Sequence, residues 1–96
     1  MKNLRQIKKV LSACKGDLFQ QYHVKSLAIF GSYARNEQKQ HSDVDILVDF
    51  TAPVGVEFID LANNLESLLE IQVDLVSRKG IRPKYYKEIQ SDLIYV

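Results

Sequence analysis

The segment FGSYARNEQKQHSDVDILVDF, residues 30–50, contains the features that decide the fold. It begins with a small turn at Gly31 and Ser32 and ends in an apolar run that Asp43 and Asp45 interrupt. Because side chains two residues apart on a strand point the same way, the two carboxylates share one face. The opposite face carries the apolar residues Val44, Ile46, Val48 and Phe50. Charge on a buried strand is costly unless it has a partner, so the pair indicates a functional site.

The rest of the chain predicts helices that alternate with short strands. Apolar spacings of three and four favour helices, and short β-branched runs favour strands. The predicted helices are 3–22, with a break near Gly16 and Asp17, then 32–35, with Ser32 as its N-cap, then 56–70 and 83–90. The predicted strands are 24–30, 43–50 and 71–76, and 93–96 is a last strand or an ordered tail. This order predicts one domain, residues 1–96, of α/β or α+β class: a small mixed sheet with flanking helices.

Composition excludes several classes of protein. The formal charge of +1 provides no large basic field, so a long nucleic acid is not the expected partner. The single cysteine, Cys14, excludes a disulfide framework. The N-terminus has no signal-like apolar run and no apolar run is long enough to span a membrane, so we expect a cytoplasmic protein. Apolar positions on the outside of the first helix are compatible with a homodimer.

A third aspartate strengthens the functional reading of the first two. Asp74 interrupts the apolar run 71–76 and lies on the face opposite Ile71, Val73 and Leu75. If this strand pairs beside the second in matching register, three carboxylates meet on one surface. A lone aspartate at the start of a strand is usually solvated, so only the three aspartates together indicate a functional site. Mg²⁺ prefers oxygen ligands, and two such ions roughly 3.5–4 Å apart assist phosphoryl transfer.

The turn before the second strand has the composition of a phosphate-binding site. Glycine allows a close approach of the backbone, and a helix N-terminus presents free N–H groups. The hydroxyl of Ser32 and the guanidinium of Arg35 can donate further hydrogen bonds to phosphate oxygens. Each residue alone is more often a turn or a surface charge. Together with the aspartates they predict a nucleoside triphosphate site.

In this order the motifs resemble a known family. GSYAR followed by SDVDILVDF and then VDLVSRKGIRPKYYKEI is similar to the minimal nucleotidyltransferase (MNT) domains of the DNA polymerase beta-like nucleotidyltransferases, over residues 24–96. The resemblance implies that Gly31 and Ser32 bind the triphosphate of ATP. It implies that Asp43, Asp45 and Asp74 are the catalytic, metal-binding carboxylates, with two Mg²⁺ ions expected.

The resemblance also implies a biological role. Family members are commonly antitoxins paired with a HEPN-domain toxin, and characterised ones transfer AMP from ATP to a tyrosine of that toxin. The family usually has glycine after Ala34-Arg35, whereas this chain has Asn36. Asparagine is a good replacement for glycine at positive φ, so the turn is expected to survive.

Chain length limits where the acceptor can come from. Only 22 residues follow Asp74, which leaves little chain for an acceptor pocket, so either a second protein brings its own acceptor group to the site or the acceptor is small and weakly held. One alternative is a catalytically vestigial module that neutralises its partner by stoichiometric binding. Another is a small-molecule nucleotidyltransferase of the aminoglycoside-modifying kind, which would need a further domain. Tyr85 and Tyr86 are expected to be packing residues.

Overall fold

The computed structural model describes residues 2–96, in which helices alternate with the strands of one sheet. The elements are α1 (Leu4–Tyr22), β1 (Val24–Phe30), α2 (Gly31–Ala34), β2 (Val44–Phe50), α3 (Glu57–Leu69), β3 (Val73–Ser77), α4 (Pro83–Ile89), a 3₁₀ helix (Gln90–Asp92) and β4 (Ile94–Tyr95). The predicted α+β class and the order of elements are confirmed. Most boundaries differ from the prediction by one or two residues, and Asp43 lies just before β2.

The first helix is continuous, so the predicted break at Gly16 is wrong. Asn3 caps α1 through a reciprocal pair of hydrogen bonds with Gln6, 3.0 Å and 2.9 Å long. Leu11 and Leu18 are both buried, one on each side of Gly16. Burial of the apolar stripe on both sides offsets the weak helix propensity of a single glycine on the exposed surface.

The sheet has the strand order β3-β2-β1-β4. Its central pair, β1 and β2, is antiparallel, whereas β2 and β3 run parallel. The C-terminal segment forms a true strand, since β4 pairs antiparallel with β1 at Ala28 and Ile29. The crossover from β2 to β3 passes through α3, as a parallel pair requires.

The two faces of the sheet differ in how completely they are covered. Helices α1 and α3 pack on one face, and the buried side chains there include Ile29, Val44, Ile46, Val48 and Leu65. The other face has a smaller apolar cluster around α4, formed by Ala28, Phe30, Leu47, Ile81 and Ile89. The predicted alternation of β2 is therefore confirmed, and its aspartates lie on the less covered face.

The exposed apolar side chains are not where the sequence predicted them. Among residues 2–96 the exposed large hydrophobic residues are Val56, Ile59, Tyr85 and Tyr95, and none of these belongs to α1. The expectation of an exposed apolar surface on α1 is therefore wrong, because its stripe packs on the sheet. No helix within residues 2–96 has the length and the apolar character needed to cross a membrane.

The core between α3 and the sheet should dominate stability. Leu65 is fully buried, so Leu65→Ala should lower the free energy of unfolding by about 2–5 kcal/mol through lost burial and a residual cavity. Ile59 lies on the same helix but is 59% exposed, so Ile59→Ala should change it by less than about 1 kcal/mol. Urea unfolding of both variants tests this, and equal losses would contradict it.

Candidate active site

Asp45 and Asp74 lie side by side on the less covered face, near the starts of β2 and of the edge strand β3. The parallel register of β2 and β3 pairs these two residues directly. Asp45 is half-buried, whereas Asp74 is exposed near the edge of the sheet. The sequence predicted that these carboxylates share a surface if the register matches, and the register does match.

Their closeness changes the acidity of Asp45. Burial raises the pKa of the Asp45 carboxyl to about 6, from an ordinary value of 3.8. The charge of Asp74, a hydrogen bond between the two side chains and the charge of Asp43 act in the same direction, and Arg35 opposes them. The pair therefore concentrates negative charge where solvation is incomplete, which favours the binding of a cation.

Asp43 is close to this pair but not part of it. It precedes β2, is exposed, and acts on Asp45 through its charge. Within residues 2–96, no three side chains of His, Cys, Asp or Glu form a group arranged to hold a metal ion. The donors are all carboxylate oxygens, the ligands that Mg²⁺ prefers, so the chemistry of the set fits this metal.

Gly31 allows the turn to pass directly over Asp45. Its φ of +74° lies in the left-handed region that favours glycine. A Cβ atom added there would overlap Oδ2 of Asp45 and stand 3.0 Å from Cγ. The register of β1 and β2 explains the contact, because Phe30, the residue before Gly31, pairs with Asp45.

The turn after Gly31 is held by backbone hydrogen bonds. Ser32 lies inside α2, and Phe30 is the N-cap without a side-chain hydrogen bond, so the prediction that Ser32 caps the helix is wrong. The amide of Glu37 donates to the carbonyl of Ser32 over 2.8 Å and closes the turn. Asn36 has a φ of +58°, which confirms that it takes the conformation usual for glycine.

Arg35 is held by two carboxylates, which the sequence did not predict. Its Nε lies 2.7 Å from Oε1 of Glu37, and a terminal nitrogen lies 2.6 Å from Oδ2 of Asp92. These hydrogen bonds raise the pKa of the guanidinium. Glu37 is two residues away along the chain, but Asp92 is 57 residues away and no local pattern in the sequence connects it to Arg35.

An open cleft of about 850 Å³ adjoins Asp43. Its lining is mostly polar and comes from the start of α1, α2, the loop before β2 and the segment before β3. These residues are Lys2, Gln6, Tyr33, Gln40, His41, Ser42, Asp43, Glu70, Ile71 and Gln72. All of these residues precede Asp74, so the cleft does not depend on the 22 residues that follow it, and the expectation that those residues build no acceptor pocket stays a prediction.

Comparison with known sequences gives a consistent family. Residues 5–96 match the nucleotidyltransferase domain family. A chain of Methanocaldococcus jannaschii, provisionally named a protein adenylyltransferase, is 50% identical over 98 residues, which cover all of both chains. The protein adenylyltransferase MntA of Thermococcus cleftensis is 40% identical over 97 residues, which cover all of this chain and 98% of MntA.

Solved structures agree with the sequences. A structure provisionally described as a minimal nucleotidyltransferase superposes with a TM-score of 0.75 at 30% identity, over 97% of this chain and 95% of the other. A tri-AMPylated HEPN toxin of Shewanella oneidensis in complex with its MNT antitoxin gives a TM-score of 0.66 at 20% identity, over 91% of this chain and 69% of the other. A toxin–antitoxin structure with AMP-PNP gives 0.73 at 23% identity, over 86% and 69%. The last two likenesses establish the fold.

Removing the freedom of Gly31 should disturb the site. Gly31→Ala should lower the free energy of unfolding by at least about 1–2 kcal/mol, because the residue is left-handed and its Cβ would meet Asp45. Gly16→Ala is the matched control: a Cβ there meets nothing within 4 Å, and alanine in a helix should stabilise by about 0.5–1 kcal/mol. Urea unfolding measures both, and a neutral Gly31→Ala would contradict the close contact.

The acidity of Asp45 should make stability depend on pH. Because the pKa of Asp45 is higher in the folded state, protonation of Asp45 stabilises that state. This contribution is fully present below pH 3.8 and is lost as the pH rises through about 6. Asp74→Asn removes one neighbouring charge, so it should lower the pKa of Asp45 and reduce that loss. Carboxyl ¹³C titration by NMR, with unfolding at pH 4 and pH 7, tests both effects. An unchanged titration in Asp74→Asn would contradict the coupling.

Proposed function

The chain belongs to the nucleotidyltransferase domain family and is a protein adenylyltransferase, and we propose that it transfers AMP from ATP to a tyrosine hydroxyl of a HEPN-domain toxin. In this proposal it acts in the cytoplasm as the antitoxin of that toxin, and residues 1–96 work as one minimal domain. Its likeness to MntA and to the fold of MNT antitoxins in HEPN complexes supports the choice of partner.

The observation that carries the proposal is the contact of Asp45 with Asp74 beneath Gly31. Burial and the charge of Asp74 raise the pKa of Asp45, so the ionised pair is unfavourable without a cation, and a metal bound with the triphosphate would stabilise it. Asp43, Asp45 and Asp74 would hold Mg²⁺. When bound, the metal would neutralise charge on the reacting phosphate and on the leaving pyrophosphate.

The turn at Gly31 and Ser32 is the proposed seat of the triphosphate. The backbone there comes within contact distance of the Asp45 carboxylate, so a phosphate on the turn would lie beside the proposed metal ligands. Arg35 adds a positive charge at the exit of the turn, and its pairs with Glu37 and Asp92 hold it in place. We propose that Arg35 donates to a phosphate oxygen when that oxygen replaces one of these carboxylates, because the guanidinium is neutralised while both pairs persist.

The acceptor tyrosine is expected to come from outside the chain. Helix α4 covers only part of the face that carries Asp45 and Asp74, and Asp74 is exposed. The exposed carboxylate can therefore take the proton of an incoming hydroxyl as it attacks the α-phosphorus. The cleft beside Asp43 offers space for the nucleoside or for a segment of the partner.

Loss of the aspartates should separate catalysis from simple binding. Asp43→Asn with Asp45→Asn should abolish AMP transfer to the proposed HEPN-domain toxin, because both carboxylate charges at the metal site are removed. Asp49→Asn is a matched control, since Asp49 lies on the same face of β2 and its Oδ1 accepts a hydrogen bond from the amide of Phe50 that asparagine can retain. Transfer is measured with ATP labelled at the α-phosphate.

Growth in the presence of the toxin gives the second readout. If the chain works by catalysis, the double variant should bind the toxin and fail to neutralise it. A folded double variant that still neutralises the toxin would favour stoichiometric binding and would overturn the catalytic proposal. Transfer that persists in the double variant would overturn the assignment of Asp43 and Asp45.

A further inference from the structure

Tyr85 is the tyrosine of this chain that faces the proposed active site. It lies on α4, is 41% exposed, and its ring packs edge-on against Phe30 with the ring centres 6.3 Å apart. The sequence analysis expected a packing residue, and half of that expectation holds, because the ring packs while much of the side chain remains open to solvent. The adjacent Tyr86 is half-buried, with the Arg78 guanidinium 3.8 Å from its ring centre.

The contact with Phe30 places Tyr85 next to the carboxylate pair. Phe30 pairs with Asp45 across the two central strands, and Asp45 pairs with Asp74 on the next strand. Directly paired residues on neighbouring strands have Cβ atoms roughly 4.5–5.5 Å apart on the same face, so one aromatic ring separates Tyr85 from Asp45. Burial raises the pKa of the Tyr85 phenol, and the charges of Asp45 and Asp74 raise it further, which is consistent with this closeness.

The remaining tyrosines differ from Tyr85 in burial or in position. Tyr22 and Tyr33 are 7% and 2% exposed, so both side chains are largely buried, and Tyr33 borders the cleft beside Asp43 and not the face that carries Asp45 and Asp74. Tyr95 is 57% exposed but lies on the edge strand β4, whose neighbour β1 separates it from the aspartates of β2 and β3. Tyr85 is therefore the tyrosine that combines an accessible hydroxyl with a position close to the carboxylates.

We propose that Tyr85 is a self-adenylylation site, where the chain transfers AMP from its bound nucleoside triphosphate to its own tyrosine. The proposal rests on the proposed function, because it uses the same triphosphate and the same carboxylates. It differs from transfer to a partner in that the acceptor is a side chain of this chain. In both reactions the nucleophile is a tyrosine hydroxyl and the atom attacked is the α-phosphorus of the bound triphosphate.

The chemistry balances without any further reactant. The phenolic oxygen of Tyr85 attacks the α-phosphorus and forms an ester bond, while the bond from that phosphorus to the oxygen bridging to the β-phosphate breaks. Pyrophosphate leaves with the electron pair of that bond. The phenolic proton passes to a neighbouring carboxylate and from there to solvent, so the products are the tyrosine–AMP ester, pyrophosphate and one proton.

The test uses the purified full chain alone, with Mg²⁺ and ATP labelled at the α-phosphate. Wild type should gain one AMP per chain, and Tyr85→Phe, which keeps the ring against Phe30 and removes the hydroxyl, should lose the label. Tyr86→Phe and Tyr95→Phe are matched controls, one adjacent on the same helix and one more exposed, and both should keep it. Fragmentation mass spectrometry should place the AMP on Tyr85. The rate per chain should not change on dilution, because the transfer is intramolecular.

Several results would overturn the proposal and leave the proposed function standing. An unlabelled wild type that still transfers AMP to the HEPN toxin would do so, as would label that persists in Tyr85→Phe. If label persists there and Tyr85→Ala weakens ATP binding, the ring supports the nucleotide and is not an acceptor. A rate per chain that rises in proportion to protein concentration would mean transfer between copies. Wild type that labels neither itself nor the toxin would overturn the proposed function itself.

Discussion

The contact between the carboxylates of Asp45 and Asp74 is the constraint on which the rest of the structure depends. It exists because β2 and β3 run parallel in a register that pairs these residues. Burial and, after it, the contact with Asp74 raise the pKa of Asp45, which destabilises the folded state at neutral pH. Burial of an extensive apolar core on the opposite face of the same strands offsets this destabilisation, since Val44, Ile46 and Val48 are fully buried there.

Because the two faces of the sheet are covered unequally, the two carboxylates remain accessible to a ligand. Two helices, α1 and α3, seal one face, so the strands are rigidly held. On the other face α4 supports only a small apolar cluster around Phe30 and Leu47. The carboxylates therefore lie on a rigid support and remain open to a nucleotide and an acceptor, an arrangement in which positioning can lower the barrier to phosphoryl transfer.

The sequence predicted the parts of this arrangement that depend on local periodicity. The faces of Asp45 and Asp74 and the α+β order follow from spacing or from residue type, whereas the left-handed Asn36 follows from the resemblance to a family that has glycine there. The strand order, the cleft beside Asp43 and the ion pair of Arg35 with Asp92 could not be predicted, because they join segments far apart in the chain. The continuous α1 was missed because tertiary burial on both sides of Gly16 outweighs its propensity.

The 22 residues after Asp74 contribute more to the site than their number suggests. They contain α4, which places Tyr85 against Phe30, and β4, which extends the sheet beside β1. Between these elements lies Asp92, whose side chain is 19% exposed and which binds Arg35 at the exit of the Gly31 turn. The turn proposed to hold the triphosphate and the 3₁₀ helix that directly follows α4 are thus joined through an ion pair. A movement of either should be transmitted to the other, because a half-shielded pair of this kind loses more on separation than a fully solvated one.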